Sequence, residues 1–429
     1  MHNRGTGILK SRQIVIMALI ATATMVFGYS APARAASTVT ISFSQWWEPE
    51  LPAGALRSII DKFEKQNSGI KVKLVSGPYS ATKAQTIAGA ATGTMSDVVG
   101  LDGAWVSDLA KQGALGSLDK ALTRVKFPMS QLAGKIKVGK TTYMIPVVNY
   151  IYPLFTNDDL LKKAGVTSAP KTRTEFAAAA KAVSGLGGNV SGWVIPLSQT
   201  NPNGIQNDIM SLVWASGGSM LKSGKPNLTG NAAVKSVLTF VKGMWDAGSI
   251  TPGAFTLAEP DKVTEFTNGR AGMMIDSLSH ITQIKTATPN LNFSIHALPK
   301  ADAYSGKGGI PYASWGIGVS KASKYPVQSA KLLAYLMSTP VNTKLADLGN
   351  AFPGNTKSVP TWVSKDPMFK TAFTIYQSGY PANEFTGLPK AEDLMLQFDI
   401  PFQKYLSGKL TIDAMLAEAQ TAWLKNFKK

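Results

Sequence analysis

The sequence predicts an α/β fold in two lobes. Strand-like and helix-like segments alternate along the chain, and the first five run βαβαβ with short connections. The chain beyond residue 35 is also too long for a single core. Val39–Phe43 alternates in a β-rich run and predicts the first strand. Pro52–Lys65 carries Leu56, Ile59, Ile60 and Phe63 at helical spacing, with Gly69 just beyond. Ile70–Val75 predicts a second strand, Thr82–Thr92 a small-residue helix closed by Gly93, and Val98–Leu101 a third strand. Val106–Gln112 predicts a helix closed by Gly113.

Further along, Thr172 and Glu175 fit a capping box at the start of an alanine-rich helix. Val234–Ala247 predicts a helix, Ala271–Ile275 a buried strand, and Val327–Met337 a helix stopped by Thr339-Pro340. Thr411–Phe427 predicts a terminal amphipathic helix with Met415, Leu416, Ala419, Trp423 and Leu424 on one side. The Pro-, Gly- and Asn-rich segments near Pro146–Pro153, Pro299–Gly309 and Gly349–Thr356 are the expected crossings between lobes.

The N-terminus has the three parts of a secretory signal. Arg4, Lys10 and Arg12 make a basic start, Ile14–Tyr29 carries no charge, and Ala33-Arg34-Ala35 is a small-x-small cleavage site. The apolar stretch falls short of the ~20 residues that cross ~30 Å of hydrocarbon. The reading is therefore an exported chain cleaved near Ala35-Ala36, not inserted in a membrane after processing. The sequence has no cysteine, which removes disulfides, thiol chemistry and a lipid-modified cysteine at the processed end. A soluble periplasmic protein is the resulting expectation. The net charge is +18, but the lysines are scattered rather than massed in a stripe, and nucleic acid is not an expected partner.

Catalytic constellations are thin. Gly134–Thr141 satisfies the phosphate-loop pattern GxxxxGK[ST], which needs a helix after the loop. Thr141–Pro146 is β-branched, aromatic and ended by proline, so Gly139-Lys140 reads as a hairpin turn. His280 and His296 lack helical metal spacing and read as structural or surface residues. No nucleophile elbow, metal set or cofactor motif stands out, and no enzyme activity is expected.

Aromatic and amide chemistry remains. Of nine tryptophans, Trp245 and Trp423 occupy apolar helix positions. Trp46-Trp47-Glu48 follows the first strand, where an open α/β sheet presents its ligand crevice. Trp315 reads as part of a Gly-rich turn, Ala313–Gly316, and Asn201, Asn203 and Asn207 enrich one loop. Indole faces match the C–H faces of a sugar, and amides and acids match its hydroxyl rim, so the residues suggest carbohydrate binding.

The order of motifs resembles the extracellular solute-binding proteins of ABC importers, in particular the maltose-binding-protein-like, sugar-binding family 1. Ala88–Val99, Gly139–Pro146, Thr156–Gly165, Pro170–Phe176 and Phe266–Met273 carry the resemblance, over essentially the whole chain after the signal. It implies a type II periplasmic-binding-protein fold: two doubly wound lobes joined by hinge strands and closing on a ligand. The implied lobes are 36–148 with about 309–352, and 149–300 with about 356–429. The implied function is a monomeric receptor that hands a mono- or oligosaccharide to permease subunits. A non-sugar solute such as a polyamine or phosphodiester is the alternative, and an exported polysaccharide-active enzyme a more distant one.

The resemblance implies a set of ligand-binding positions. Trp46, Trp47 and Glu48 match the contact loop, Asp102 a sugar-binding acid, Asn149 and Tyr150 the first hinge, and Gln206 and Asn207 the far-lobe loop. Tyr79, Ser314 and Trp315 complete the candidate set. Ser279 and Met395 stand where the family commonly places stacking aromatics, so stacking is expected from the first lobe and Trp315. Asp97 is expected to be structural.

Overall fold

The computed structural model describes residues 38–427; the expected signal, 1–35, lies outside the described residues. The opening follows the sequence pattern. Strand β1 (Val39–Gln45) leads to α1 (Ala55–Gln66), which buries Leu56, Ile59, Ile60 and Phe63. Strand β2 (Ile70–Ser76) pairs parallel with β1. Helix α2 (Tyr79–Thr92) ends on Gly93 in the left-handed conformation, a position that favours glycine. Strand β3 (Val98–Leu101) pairs with the other side of β1. Asp97 takes the structural role expected of it: its carboxylate accepts from the Ser42 backbone N–H at 2.8 Å and from the Ser323 hydroxyl at 2.6 Å. Helices α3 (Gly103–Lys111) and α4 (Leu118–Arg124) follow.

Strands β4 (Ile136–Val138) and β5 (Thr141–Ile151) form the expected hairpin. Gly139 adopts φ +61° in its turn. No helix follows the glycine-rich segment, so its backbone forms no phosphate cradle.

The chain leaves the first sheet at Tyr152-Pro153 and enters β6 (Leu154–Asn157), α5 (Asp158–Lys163) and α6 (Arg173–Ser184), the last with both halves of its capping box. Strand β7 (Ser191–Trp193) precedes a π-helical turn, Ile205–Met210, that runs into α7 (Ser211–Trp214). After the small hairpin β8 (Leu221–Lys222) and β9 (Lys225–Pro226) come α8 (Ala232–Asp246), α9 (Glu259–Thr267), β10 (Ala271–Ile275), α10 (His280–Ala287) and β11 (Phe293–His296).

The chain then returns to the first sheet as β12 (Gly309–Val319), followed by α11 (Pro326–Leu336) and α12 (Thr339–Leu348). Thr339-Pro340 does not simply stop a helix. It also starts the next one, because proline suits the first helical turn, where its missing N–H is not needed. Strand β13 (Phe352–Pro353), α13 (Pro367–Ser378), β14 (Tyr380–Ala382), α14 (Ala391–Leu406) and α15 (Ile412–Phe427) finish the described chain. In α15, Met415, Leu416, Ala419 and Trp423 are buried as expected, but Leu424 is 39% exposed.

Two mixed sheets result. The first runs β13-β5-β12-β3-β1-β2, and the second β11-β6-β10-β7. Strand β12 lies antiparallel between β3 and β5 and carries a bulge between Trp315 and Gly316. Trp315 is therefore in mid-strand, not in a turn. The glycines beside it are there for close packing: a Cβ on Gly316 would lie 2.6 Å from the Leu101 carbonyl oxygen. Strand β13 stays on the first sheet, so the chain does not cross within it.

Candidate functional site

A cavity of about 810 Å³ opens where the ends of the first-sheet strands face the loops of the second sheet. The first wall is aromatic. Trp46 leaves β1, Tyr79 opens α2 after β2, and Trp315 projects from β12. Trp46 meets Tyr79 edge-on at 5.3 Å and Trp105 at 5.5 Å, and Tyr150 meets Trp315 at 5.1 Å. These rings hold one another in place before anything enters the cavity.

Asp102 follows β3 directly and serves two purposes. One carboxylate oxygen accepts the Ala104 N–H at 2.8 Å and caps α3, and the other accepts from the Tyr79 hydroxyl at 3.3 Å. Burial pushes its pKa up to about 6. Ser314 lines the cavity and donates to Asn149 Oδ1 at 2.7 Å.

The second wall is polar. Gln206 and Asn207 sit on the π-helical turn, where the widened backbone turns both amides toward the cavity; Gln206 Nε2 donates to Asn207 Oδ1 at 3.0 Å. Ser279 lines the cavity from the loop after β10. That loop is tied to the crossing between the sheets, because Asp276 N–H donates to Pro153 O and Leu278 N–H to Ile151 O.

Three expected residues do not line the cavity. Trp47 is fully buried behind Trp315, stacked on it at 5.5 Å and 9°. Glu48 turns outward, where the Ser76 hydroxyl donates to its carboxylate. The 3₁₀ turn Glu48–Glu50 presents Glu50 to the cavity instead. Asn149 stands behind Ser314. Met395 is buried in α14, away from the cavity. Sequence reasoning missed Glu50, Tyr152, Glu259 and His280, all of which line it; Asn201 and Asn203 were signalled only by their amide-rich loop.

Behind the second wall lies a buried ionic network. Lys262 Nζ is 3.3 Å from Asp208 Oδ2 and 3.3 Å from Asp276 Oδ1, and donates to the Ile275 carbonyl at 2.6 Å. His280 Nδ1 is 2.8 Å from Asp276 Oδ2. Lys262, Asp208 and Asp276 are all fully buried. Burial disfavours the charged form of Lys262, but Asp208 and Asp276 more than offset it and hold the lysine protonated. Burial would likewise lower His280, yet Asp276 raises it to about 9.

Carboxyl groups outnumber these two cations, and burial drives the surplus toward the neutral form. Asp208 rises to about 8 and Glu50 to about 7, and Glu259 is raised by burial and by Asp276. Glu259 Oε1 is buried without a hydrogen-bond partner.

Glu259, Asp276 and His280 bring ligand atoms within 4.8 Å of one another. Lys262 already supplies a positive charge at Asp276, so the group has its cation from the chain itself.

A family model described as bacterial extracellular solute-binding protein matches residues 48–343. A binding protein of Brucella abortus (strain 2308) is 28% identical over 243 residues, covering 55% of this chain and 57% of the relative. The match spans little more than half of that relative's length. Among solved structures, an ABC transporter solute-binding protein of Thermotoga lettingae bound with α-D-tagatose aligns with TM-score 0.78 and 20% identity, covering 91% of this chain and 99% of that one. The GacH receptor of Streptomyces glaucescens, solved unliganded and with acarbose, gives 0.75 and 22%, with 91% and 99% covered. MalE of Bdellovibrio bacteriovorus bound to maltotriose gives 0.72 and 21%, with 91% and 100% covered. At these identities the likeness is one of fold.

Proposed function

The chain belongs to the bacterial extracellular solute-binding proteins, and we propose that it is the receptor of an ABC-type importer, taking a mono- or oligosaccharide into the cleft. The observation that carries this reading is the division of the cavity into an aromatic wall and a wall of amides and carboxyls. A pyranose or furanose ring offers apolar C–H faces to the first and hydroxyls to the second. Amides both donate and accept, as hydroxyls do. The sugars bound by the tagatose, acarbose and maltotriose structures support the same class. A phosphodiester fits less well, because neither lysine nor arginine is among the lining residues.

The remaining parts of the reading follow from it. The chain acts by binding rather than by catalysis. It works as an exported, periplasmic monomer after cleavage near Ala35-Ala36, and permease subunits are its partners. Residues 36–148 with about 309–352 form one lobe, and 149–300 with about 356–429 the other. The crossings at Tyr152-Pro153, between β11 and β12 and after β13 act as hinges, and ligand affinity must favour the closed arrangement for the permeases to sense loading.

Trp46 and Trp315 on the cavity wall make tryptophan fluorescence a direct assay. Titration against a panel of mono- and oligosaccharides should give saturable changes for at least one sugar, returned chemically unaltered. Silence across the panel together with a response to spermidine would remove the sugar and keep the receptor.

A further inference from the structure

The charges around the cavity do not balance. Glu50 and Asp102 face it from the first wall and Glu259 from the second, while His280 is the one cation among the lining residues. His280 is already committed to Asp276, and Lys262 to Asp208 and Asp276. Glu50 and Glu259 come from opposite walls and lie close enough for the charge on one to raise the other. The Glu259 oxygen without a partner is a buried acceptor, and nothing among the described residues donates to it.

We propose, resting on the sugar-receptor reading above, that the sugar this cleft takes carries a protonated amino group, bound by Glu259 with Glu50 facing it from the other wall. An ammonium has three donors, no acceptor and a full charge. Its bonds to carboxylates are charge-assisted and about twice as strong as neutral ones. A hydroxyl at the same place would supply one donor and no charge, leaving burial to hold Glu50 and Glu259 toward their neutral forms, whereas a cation between them favours the carboxylates. A bare polyamine matches the carboxylates but not the rest of the cavity. It has no ring face for Trp46 and Trp315, and it leaves the donor N–H groups of Gln206, Asn203 and Asn207 without acceptors. An amino sugar satisfies all three sets.

The test is calorimetric titration of the purified protein with matched pairs: glucosamine against glucose, galactosamine against galactose, and the glucosamine dimer against cellobiose. Spermidine is run alongside. The expected result is a preference on the order of tenfold or more for the amine member of a pair. Glu259→Gln, which keeps the shape and removes the charge, should abolish that preference, with affinity for the amine member falling at least tenfold further than affinity for its neutral partner. Glu50→Gln is the second variant, on the opposite wall, should the first not fold by circular dichroism; it should narrow the preference in the same direction.

Equal or tighter binding of the neutral members overturns the amino-sugar assignment and leaves the sugar receptor standing. A preference for the amine that survives both variants also overturns it, since the carboxylates would then not be the recognising groups. No binding of either member of any pair, with or without binding of spermidine, counts against both readings.

Discussion

The wall that carries Trp46, Tyr79 and Trp315 grows from the first sheet and is held by ring contacts. The wall that carries Glu259, Ser279 and His280 grows from the second and is held by ion pairs. The two fail in different ways. A packed aromatic wall depends on shape and loses stability gradually as volume is lost or added. A buried ionic wall depends on completeness, because each removed partner strands a charge in a medium that cannot solvate it. The first wall can therefore be retuned by small changes of side chain, and the second only by changing partners together.

The largest effect should come from removing the central cation. Lys262→Met leaves Asp208 buried and unpaired and Asp276 with His280 alone, and should cost about 3–5 kcal/mol of unfolding free energy in urea. A variant as stable as the parent would show that the second wall is not held by charge, and would end the contrast. Next is the packing of the first wall. Gly316→Ala puts a methyl 2.0 Å from Met144 Cε and 2.6 Å from the Leu101 carbonyl. Met144 can swing aside but the carbonyl cannot, so a loss of about 1–3 kcal/mol is expected, with β12 displaced.

A smaller effect should follow pH, and it should trace to the ionic side of the cleft. His280 titrates in the fold at about 9, above its ordinary 6.5. Its contribution is complete below about pH 6.5 and is lost as pH rises through about 9. Glu50, raised by burial to about 7, acts in the same sense, since ionising it costs stability as pH rises from 4.5. The melting temperature should thus fall between about pH 6 and pH 9. His280→Asn should flatten that fall; a melting temperature that climbs over this range contradicts the assignment. The exposed-side carboxylates held below their usual range, such as Glu265 beside Arg270, titrate below this window and do not confuse it.

The smallest effect isolates ligand from fold on the aromatic side. The Tyr150 hydroxyl is buried with no hydrogen-bond partner. Tyr150→Phe keeps the ring against Trp315 and should leave stability within about 1 kcal/mol of the parent. If the hydroxyl meets the ligand, affinity should drop by about 0.5–1.5 kcal/mol in a fluorescence titration. Stability that falls well beyond this would mean that the hydroxyl holds the wall together instead.

The same division explains what could be read from sequence. Elements with a repeating apolar pattern or a local cap were legible: α1 from its Leu56–Phe63 stripe, α6 from Thr172 and Glu175, and the β4–β5 hairpin from Gly139. The aromatic wall was legible in part, because Trp46 follows a recognisable strand and Tyr79 opens the helix after the next. Its errors were of one residue or one strand. Trp47 and Glu48 point away where Trp46 and Glu50 point in, since a 3₁₀ turn after β1 sets the direction and no periodicity announces it. Trp315 looked like a turn residue because the glycines around it serve close packing between strands.

The ionic wall was hardly legible. Lys262 meets Asp208 and Asp276 from separate elements, and His280 lies one helical turn after Asp276 in a segment with no motif. Charge pairing across such separations leaves no local pattern, and a histidine is read as structural until its carboxylate partner is seen.

Strand β12 lies between β3 and β5 in the first sheet yet follows the entire second sheet along the chain. Translation therefore delivers β3 and β5 long before the strand that joins them. Until residue 319 has emerged, β3 and β5 have no common neighbour, and the connection to be closed runs from residue 152 to residue 308. Closing it costs entropy before any pairing is gained, which makes the first sheet a late and slow product of folding. The strand order thus lets the second sheet, whose strands are all present by His296, consolidate before the first, which must wait for β12.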